Sequence, residues 1–402
     1  MNDVFMNTYH RLPVIFSRGE GAWLTDINGK KYLDFTSGIA VNCLGHAFPA
    51  LVKAISDQAA KLNHTSNYFL SDTSAAFAEK LVAACAGAGM KKVFLANSGA
   101  EANEGACKLA RKYSLVRHGR GRHTIVTLRG SFHGRTITTL SATGQDNFHK
   151  DFGPFTEGFV YVPGGDLDAL DKALDPNTTA GFLVEAIQGE SGIRLQSAEY
   201  LTAAAKLCAE RDILLMFDEV QTGMGRTGTF LACEGFGIKP DVVTLAKGLA
   251  GGLPAGAFLA GEKAAQILDI GDHGSTFGGN PVAAAAGLVV LDIVTNPEFL
   301  CSITRKGEKI KEILASWKHP KITDIRGRGL MTGVDINADA WSVLEAAIGV
   351  AQAPPAQKSA SQPAETGLLL LTAGKQTLRL LPPYIISDAE LEQGLDILKR
   401  VL

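Results

Sequence analysis

Short apolar runs recur from Val93 onward, and between them the apolar positions shift to helical spacing. The runs are VFLA (93–96), TIVTL (124–128), FVYV (159–162), FLVEA (182–186), ILLMF (213–217), VVTLA (242–246) and AFLA (257–260). Strand-length runs alternating with helices predict an α/β fold, a mainly parallel sheet with helices on both faces. The alternation stops after Gly279. A long apolar helix over Pro281–Val294 follows, then a second pattern of helix and strands to Leu402, which predicts a smaller domain. Residues 14–35 predict short strands around a hairpin turned at Asn28-Gly29. Thr36–Pro49 is a glycine-rich loop, and a helix is predicted from about Ala50 to Leu62. Val350–Ala364 is rich in Ala, Pro, Gln and Ser with no apolar period, the pattern of an exposed, mobile loop without a chemical role.

Two of the runs end in charge: Ile213–Phe217 leads into Asp218-Glu219, and Val242–Ala246 into Lys247. In an open α/β sheet the ligand crevice lies at the carboxyl ends of the strands. A lysine between Ala246 and Gly248 has little polar company in sequence, which suits a lowered pKa and Schiff-base formation with an aldehyde. An aspartate one strand away suits the ring nitrogen of pyridoxal phosphate, where a held proton turns the ring into an electron sink. A plain buried ion pair between Asp218 and Lys247 is the competing reading.

Length and composition bound the partners. A chain of 402 residues, 46% hydrophobic with net charge −2, suits two globular domains, and no basic run interleaves with aromatics as a nucleic-acid surface would require. Six scattered cysteines without a CxxC pair indicate reduced thiols of a cytoplasmic protein, and nine histidines without ligand spacing predict no metal. Met1–Arg18 lacks the apolar core of a signal peptide, and Val282–Leu291 is too short to span a bilayer, so no membrane association is expected.

Four further stretches carry possible chemistry. Asn97-Ser98-Gly99-Ala100-Glu101 follows the first strand, and Ser98 with Glu101 fits a capping box. A strand, a small-residue turn and a capped helix start make an anion site at Gly99 and Ala100, although any helix needs a cap. Ser131-Phe132-His133-Gly134-Arg135 offers a ring to stack on a flat cofactor and an arginine to grip a carboxylate; a core Phe beside a surface Arg would look the same. His273–Pro281 packs Ser275 and Thr276 among glycines before a helix, suited to phosphate or to a turn. Arg379 lies within the apolar run LRLLPP, where a buried guanidinium needs a partner or a ligand carboxylate. Gly223–Gly228 matches G-x-G-x-x-G, but five residues separate it from the strand and no long helix can follow, so a dinucleotide-dependent oxidoreductase is a weak alternative.

Taken together, FTSGIAVNCLGH, NSGAEANEGACKLAR, SFHGRT, VEAIQGE, FDEVQTGMGRTG, TLAKGL, HGSTFGGNP, RGRGLM and LRLLPP resemble the class III pyridoxal-phosphate aminotransferases of fold type I. The motifs stand in the family's order from about Thr25 to the C-terminus. The resemblance implies a large domain with a seven-stranded, mainly parallel sheet (46–283) and a smaller α+β domain built from both termini (1–45 and 284–402). It implies pyridoxal 5'-phosphate held by Ser98, Gly99, Ala100, Phe132, Asp218, Gln221 and Lys247, with Lys247 and Asp218 catalytic. Thr276 matches a residue that reaches the phosphate of a neighbouring subunit, which implies a homodimer with shared sites. Arg135 and Ser275 resemble binders of the substrate's distal end, Arg379 the binder of an α-carboxylate, and Glu190 the acid that pairs with that arginine. Two departures are Phe48, where the family usually has a second histidine, and the long Val350–Ala364 stretch. Gly38, where a free ornithine α-amino group would call for tyrosine, turns the expected donor toward N-acetylornithine, with 2-oxoglutarate and glutamate as the other pair. Succinylornithine, succinyl-diaminopimelate, ornithine and 4-aminobutyrate remain alternative donors, because one acyl or methylene difference is worth only about 1–3 kcal/mol; an aminomutase, which needs no second substrate, is the competing reaction on the same scaffold.

Overall fold

The computed structural model describes residues 4–349 and 366–402, so the Val350–Ala364 stretch lies outside the described residues. Seven strands form the central sheet: β1 (Met90–Ala96), β2 (Thr124–Leu128), β3 (Phe159–Val162), β4 (Thr179–Val184), β5 (Leu214–Asp218), β6 (Val242–Leu245) and β7 (Gly256–Gly261). Their order is β1-β7-β6-β5-β4-β2-β3, and only β7 runs against its neighbours. Every residue of β4 to β7 is buried. That two-sided burial is why these strands are continuous apolar runs and not alternating ones. Helix α1 (Gly99–His118) follows β1 and buries Ala102, Ala106, Leu109, Ala110 and Tyr113 on the sheet, the face its spacing predicts. Gly105 lets it approach closely: a Cβ there would lie 2.2 Å from Phe258 Cε1. Helix α2 (Pro281–Val294) starts at the expected residue, where Asn280 Oδ1 accepts from the amides of Val282 (2.9 Å) and Ala283 (3.0 Å).

The smaller part is assembled from both ends of the chain. Phe16–Glu20, Trp23–Asp26 and Lys31–Asp34 form the expected meander, with Gly29 at φ +84° in the hairpin turn. Gly367–Leu369 adds to it in parallel beside Lys31–Asp34. A second sheet joins Ile322–Arg328, Met331–Ile336, Thr377–Leu380 and Leu371–Ala373, all antiparallel.

Between these parts lies a left-handed turn that the sequence did not announce. Ser37, Gly38, Ile39 and Ala40 have φ of 47°, 61°, 68° and 63°. Only Gly38 adopts this without penalty; each L-residue costs about 1–2 kcal/mol. The surroundings enforce it. Asp34 Oδ1 accepts from Thr36 N (2.8 Å), Thr36 Oγ1 (2.7 Å) and Ser37 N (3.0 Å), while Oδ2 meets His46 Nε2 at 2.8 Å. Ser37 Oγ donates to Leu381 O (2.7 Å). Burial alone would push the Asp34 carboxyl up, but the bonds from His46 and Thr36 outweigh it and hold it below its usual range.

Candidate active site

Three neighbouring strands end in ionisable side chains: β4 runs into Glu185, β5 closes on Asp218, and β6 leads through Ala246 to Lys247. The register sets Val184 beside Phe217 and Asp218 beside Thr244, so the three lie at one level. They line a cavity of about 440 Å³. Ser98, Gly99, Ala100, Phe132, Arg135, Glu190 and Gln221 border the same space, as the motifs implied.

Lys247 has φ +47°, a left-handed conformation that a non-glycine residue holds only under constraint. Burial lowers its pKa to about 8, against the opposing pull of Asp218 and Glu185; Arg379 and Arg226 add to the lowering. Among the described residues no carboxylate forms a salt bridge with it, so the plain ion pair with Asp218 is absent. Asp218 is instead held by other groups. Its Oδ2 meets His133 Nδ1 (2.7 Å) and Asn103 Nδ2 (2.8 Å), and its Oδ1 accepts from Val220 N (3.0 Å).

The start of α1 faces the cavity, with Ser98 Oγ accepting from Glu101 N (3.2 Å). The capping box does not close as expected. The Glu101 carboxylate passes over Ser98 and accepts from Asn97 N (2.7 Å) and Asn97 Nδ2 (2.8 Å), because Asn97 offers two donors. The Ser98 end thus stays open toward the cavity, where amide groups and helix dipole favour an anion. Gly99 is required here by space: a Cβ would sit 2.7 Å from Val220 Cγ1.

Arg135 is exposed, with its guanidinium carbon 3.8 Å from the Phe148 ring centroid and 5.4 Å from that of Phe132. Arg379 is buried in the Thr377–Leu380 strand and donates through Nη1 to Gly189 O (3.0 Å). Burial holds its pKa down while Glu190 pulls it up. Glu190 here accepts through Oε2 from Gln145 Nε2 (2.7 Å) and makes no salt bridge with Arg379. Ser275 lies one residue back from the cavity, its Oγ accepting from Asn97 Nδ2 (3.1 Å). Thr276 is exposed and does not border this chain's cavity. Asn67, in the polar and aromatic stretch 63–68 whose sequence suits either a site or a connection, donates to Ser275 O (2.9 Å) and Gly278 O (3.1 Å).

The Gly223–Gly228 fingerprint opens no helix. It forms turns around the fully buried Arg226, whose Nη1 donates to Leu330 O (3.0 Å) and Pro382 O (2.6 Å). Sequence reasoning missed Asn103, His133, Glu185 and Val220, although each stood within a motif noted for other residues: Asn103 in NSGAEANEGACKLAR, His133 beside Phe132, Glu185 in VEAIQGE and Val220 in FDEVQTGMGRTG. Burial pushes the Glu185 carboxyl up to about 7, with His133 opposing and Asp218 adding to the rise.

Asn103 Oδ1, His133 Nε2 and Gln221 Oε1, all on residues lining the cavity, are buried without hydrogen-bond partners, and Arg379, whose Nε is likewise unpartnered, is not among the lining residues. Buried polar atoms left open around one cavity call for a polar ligand. An anion seat, an apolar wall from Phe132 and Val220, a carboxylate and an amine of lowered basicity fit a flat aromatic aldehyde bearing a phosphate.

The model of the family described as Aminotransferase class-III matches residues 4–402. An acetylornithine aminotransferase of Haemophilus ducreyi is 49% identical over 395 residues, covering 98% of this chain and 95% of that protein. Among solved structures, the N-acetylornithine aminotransferase of Stenotrophomonas maltophilia is 37% identical with a TM-score of 0.81, covering 98% of this chain and 96% of that one. An ornithine aminotransferase of Toxoplasma gondii with partial PLP occupancy at its active site is 32% identical with a TM-score of 0.89, covering 99% and 92%.

Proposed function

The chain belongs to the class-III aminotransferases, and from that premise we propose that it moves the δ-amino group of N2-acetyl-L-ornithine to 2-oxoglutarate. The products are N-acetyl-L-glutamate 5-semialdehyde and L-glutamate, a step of arginine biosynthesis. The observation that carries this is the convergence of Lys247, Asp218 and the open start of α1 on one cavity. When bound there, pyridoxal 5'-phosphate supplies an aldehyde for amine exchange and a protonated ring as electron sink.

The protein's own groups divide the remaining work. Ser98 and the amides of Gly99 and Ala100 would hold the phosphate, and Phe132 and Val220 would flank the ring. Asp218 would keep a proton on the ring nitrogen, its carboxylate held in place by His133, Asn103 and the Val220 amide. Gln221 serves the phenolic oxygen. With a pKa near 8, Lys247 is partly unprotonated at neutral pH, so its Nζ both exchanges with the substrate amine and moves the proton at the reacting carbon. Arg379 takes the α-carboxylate of glutamate, and Arg135 with Ser275 takes the distal end of either substrate.

A homodimer accounts for Thr276, which is exposed in its own subunit and free to reach a neighbour's phosphate. The adjoining Tyr68, Phe69, Leu70 and Phe277 are exposed at 94%, 73%, 89% and 61%, an apolar patch suited to burial against a second copy. A cytoplasmic setting suits six unpaired cysteines. Among the described residues no single helix is long and apolar enough to cross a membrane.

Overall shape does not select the donor, because likeness to the Toxoplasma enzyme is likeness of fold. Gly38 speaks for the acylated amine: it contributes no side chain, and a Cβ there would meet only Asn42 Nδ2, at 3.4 Å. The test follows loss of the bound cofactor's visible absorption with acetylornithine, succinylornithine, ornithine and 4-aminobutyrate in separate first half-reactions. Acetylornithine should give the highest kcat/KM. Preference for free ornithine, or no response to any ω-amine, would overturn the assignment.

A further inference from the structure

Glu185 is buried, borders the cavity and has no part in the chemistry outlined above. Its two oxygens accept from two backbone amides on different walls. Oε1 accepts from Phe132 N (2.8 Å), and Oε2 from Gly189 N (3.3 Å). The first amide belongs to the residue whose ring flanks the cofactor site. The second belongs to the residue whose carbonyl accepts from Arg379 Nη1 at 3.0 Å. Gly189 also carries Gln221 against it so closely that a Cβ would lie 2.4 Å from Gln221 Oε1.

We propose that Glu185 is a positioning residue that fixes the cofactor-stacking wall at Phe132 and the carboxylate-binding arginine, Arg379, in one frame. It works through Gly189, without touching substrate. The proposal rests on the aminotransferase reading for the roles of Phe132 and Arg379, and it adds what sets the distance between them. Arg379 depends strongly on this link, because its Nε has no partner and the Gly189 carbonyl anchors its Nη1.

Two other side chains tie the same loops together at their margins. Gln188 Nε2 donates to Arg129 O (2.9 Å), and Gln145 Nε2 donates to Ser131 O (3.1 Å) and Glu190 Oε2 (2.7 Å). Changing Glu185 alone therefore loosens the centre of the frame while its margins hold the loops in place. A glutamine at 185 keeps the shape but offers one oxygen to two amides, so one N–H must face an N–H₂ group.

The experiment compares Glu185→Gln with the parent as holoenzymes, donor by donor. Losing one buried acceptor should raise the half-saturating glutamate concentration about tenfold or more. The limiting rate with acetylornithine, whose reacting end bears no carboxylate for Arg379, should stay within about threefold, below the tenfold step of ~1.4 kcal/mol. The visible circular dichroism of the bound cofactor should weaken as Phe132 loosens. An unchanged half-saturation for glutamate would overturn the proposal. So would equal losses of limiting rate with both donors at unchanged half-saturation, which would mark Glu185 as a participant in proton transfer. If Glu185→Gln does not fold, Glu185→Asp carries the same comparison, since its shorter arm cannot reach both amides. If the parent gives no response to glutamate, the aminotransferase reading fails, and the dichroism comparison still tests the hold on Phe132.

Discussion

Replacing Lys247 with methionine should make the cofactor-free protein more stable at neutral pH, even though it abolishes turnover. The reason lies in where the amine sits. Its pKa falls from 10.5 to about 8, chiefly through burial. At ~1.4 kcal/mol per pH unit, carrying this lysine charged in the folded state costs about 3 kcal/mol. A lowered folded-state pKa means that the unfolded chain binds the proton more tightly. The penalty is therefore fully present below pH 8, shrinks as pH rises, and vanishes above about pH 10.5. The opposing pull of Asp218 and Glu185 is already contained in that lowered pKa, so the expected gain is about 3 kcal/mol. Urea unfolding of both cofactor-free proteins, at one protein concentration, should show the variant ahead at pH 7.5 and the gap narrowing by pH 9.5. A variant less stable at pH 7.5, or a gap independent of pH, would refute the reasoning.

Two other perturbations probe the site. Gly99→Ala forces a methyl group against Val220 at 2.7 Å and displaces one face of the cofactor pocket, so the Kd of the apoprotein for pyridoxal phosphate should rise by at least tenfold in an equilibrium titration, about 1.4 kcal/mol. Glu190→Ala should slow the acetylornithine half-reaction about tenfold and spare the glutamate half-reaction, because a buried Arg379 without a carboxylate nearby is costly only when the ω-amine is bound; equal losses in single-turnover measurements would count against it.

The parts of this fold that were legible in sequence are those dictated by local patterns. Two-sided burial writes β4 to β7 as unbroken apolar runs, and charge at the ends of β5 and β6 marks the crevice, so Asp218 and Lys247 are legible in the sequence. The partners of Asp218 could not. His133 and Asn103 stand 85 and 115 residues away, and no periodicity records which distant donor a strand order will deliver. The capping box failed because a better donor, Asn97, lay close by, and Glu190 here accepts from Gln145. The left-handed turn escaped notice because Ile39 and Ala40 carry no preference for it. Tertiary bonds to Asp34, His46 and Leu381 impose it.

The mixed origin of the smaller part has a consequence for biosynthesis. Trp23 Nε1 bonds Glu390 Oε1 at 2.7 Å across 367 residues, and Ser37 Oγ bonds Leu381 O across 344. A ribosome adding ~5–20 residues per second leaves the N-terminal meander waiting about 20–70 s for these partners. Until then Lys31–Asp34 lacks its parallel neighbour, and residues 37–40 lack the Leu381 carbonyl that helps Asp34 and His46 hold their unfavourable backbone. The central sheet can be complete while the chain is still tethered, but the wall that Val41 contributes to the cavity cannot. Cofactor capture is therefore a late event in the life of the polypeptide. A nascent chain stalled before Leu381 should expose the meander and bind pyridoxal phosphate poorly.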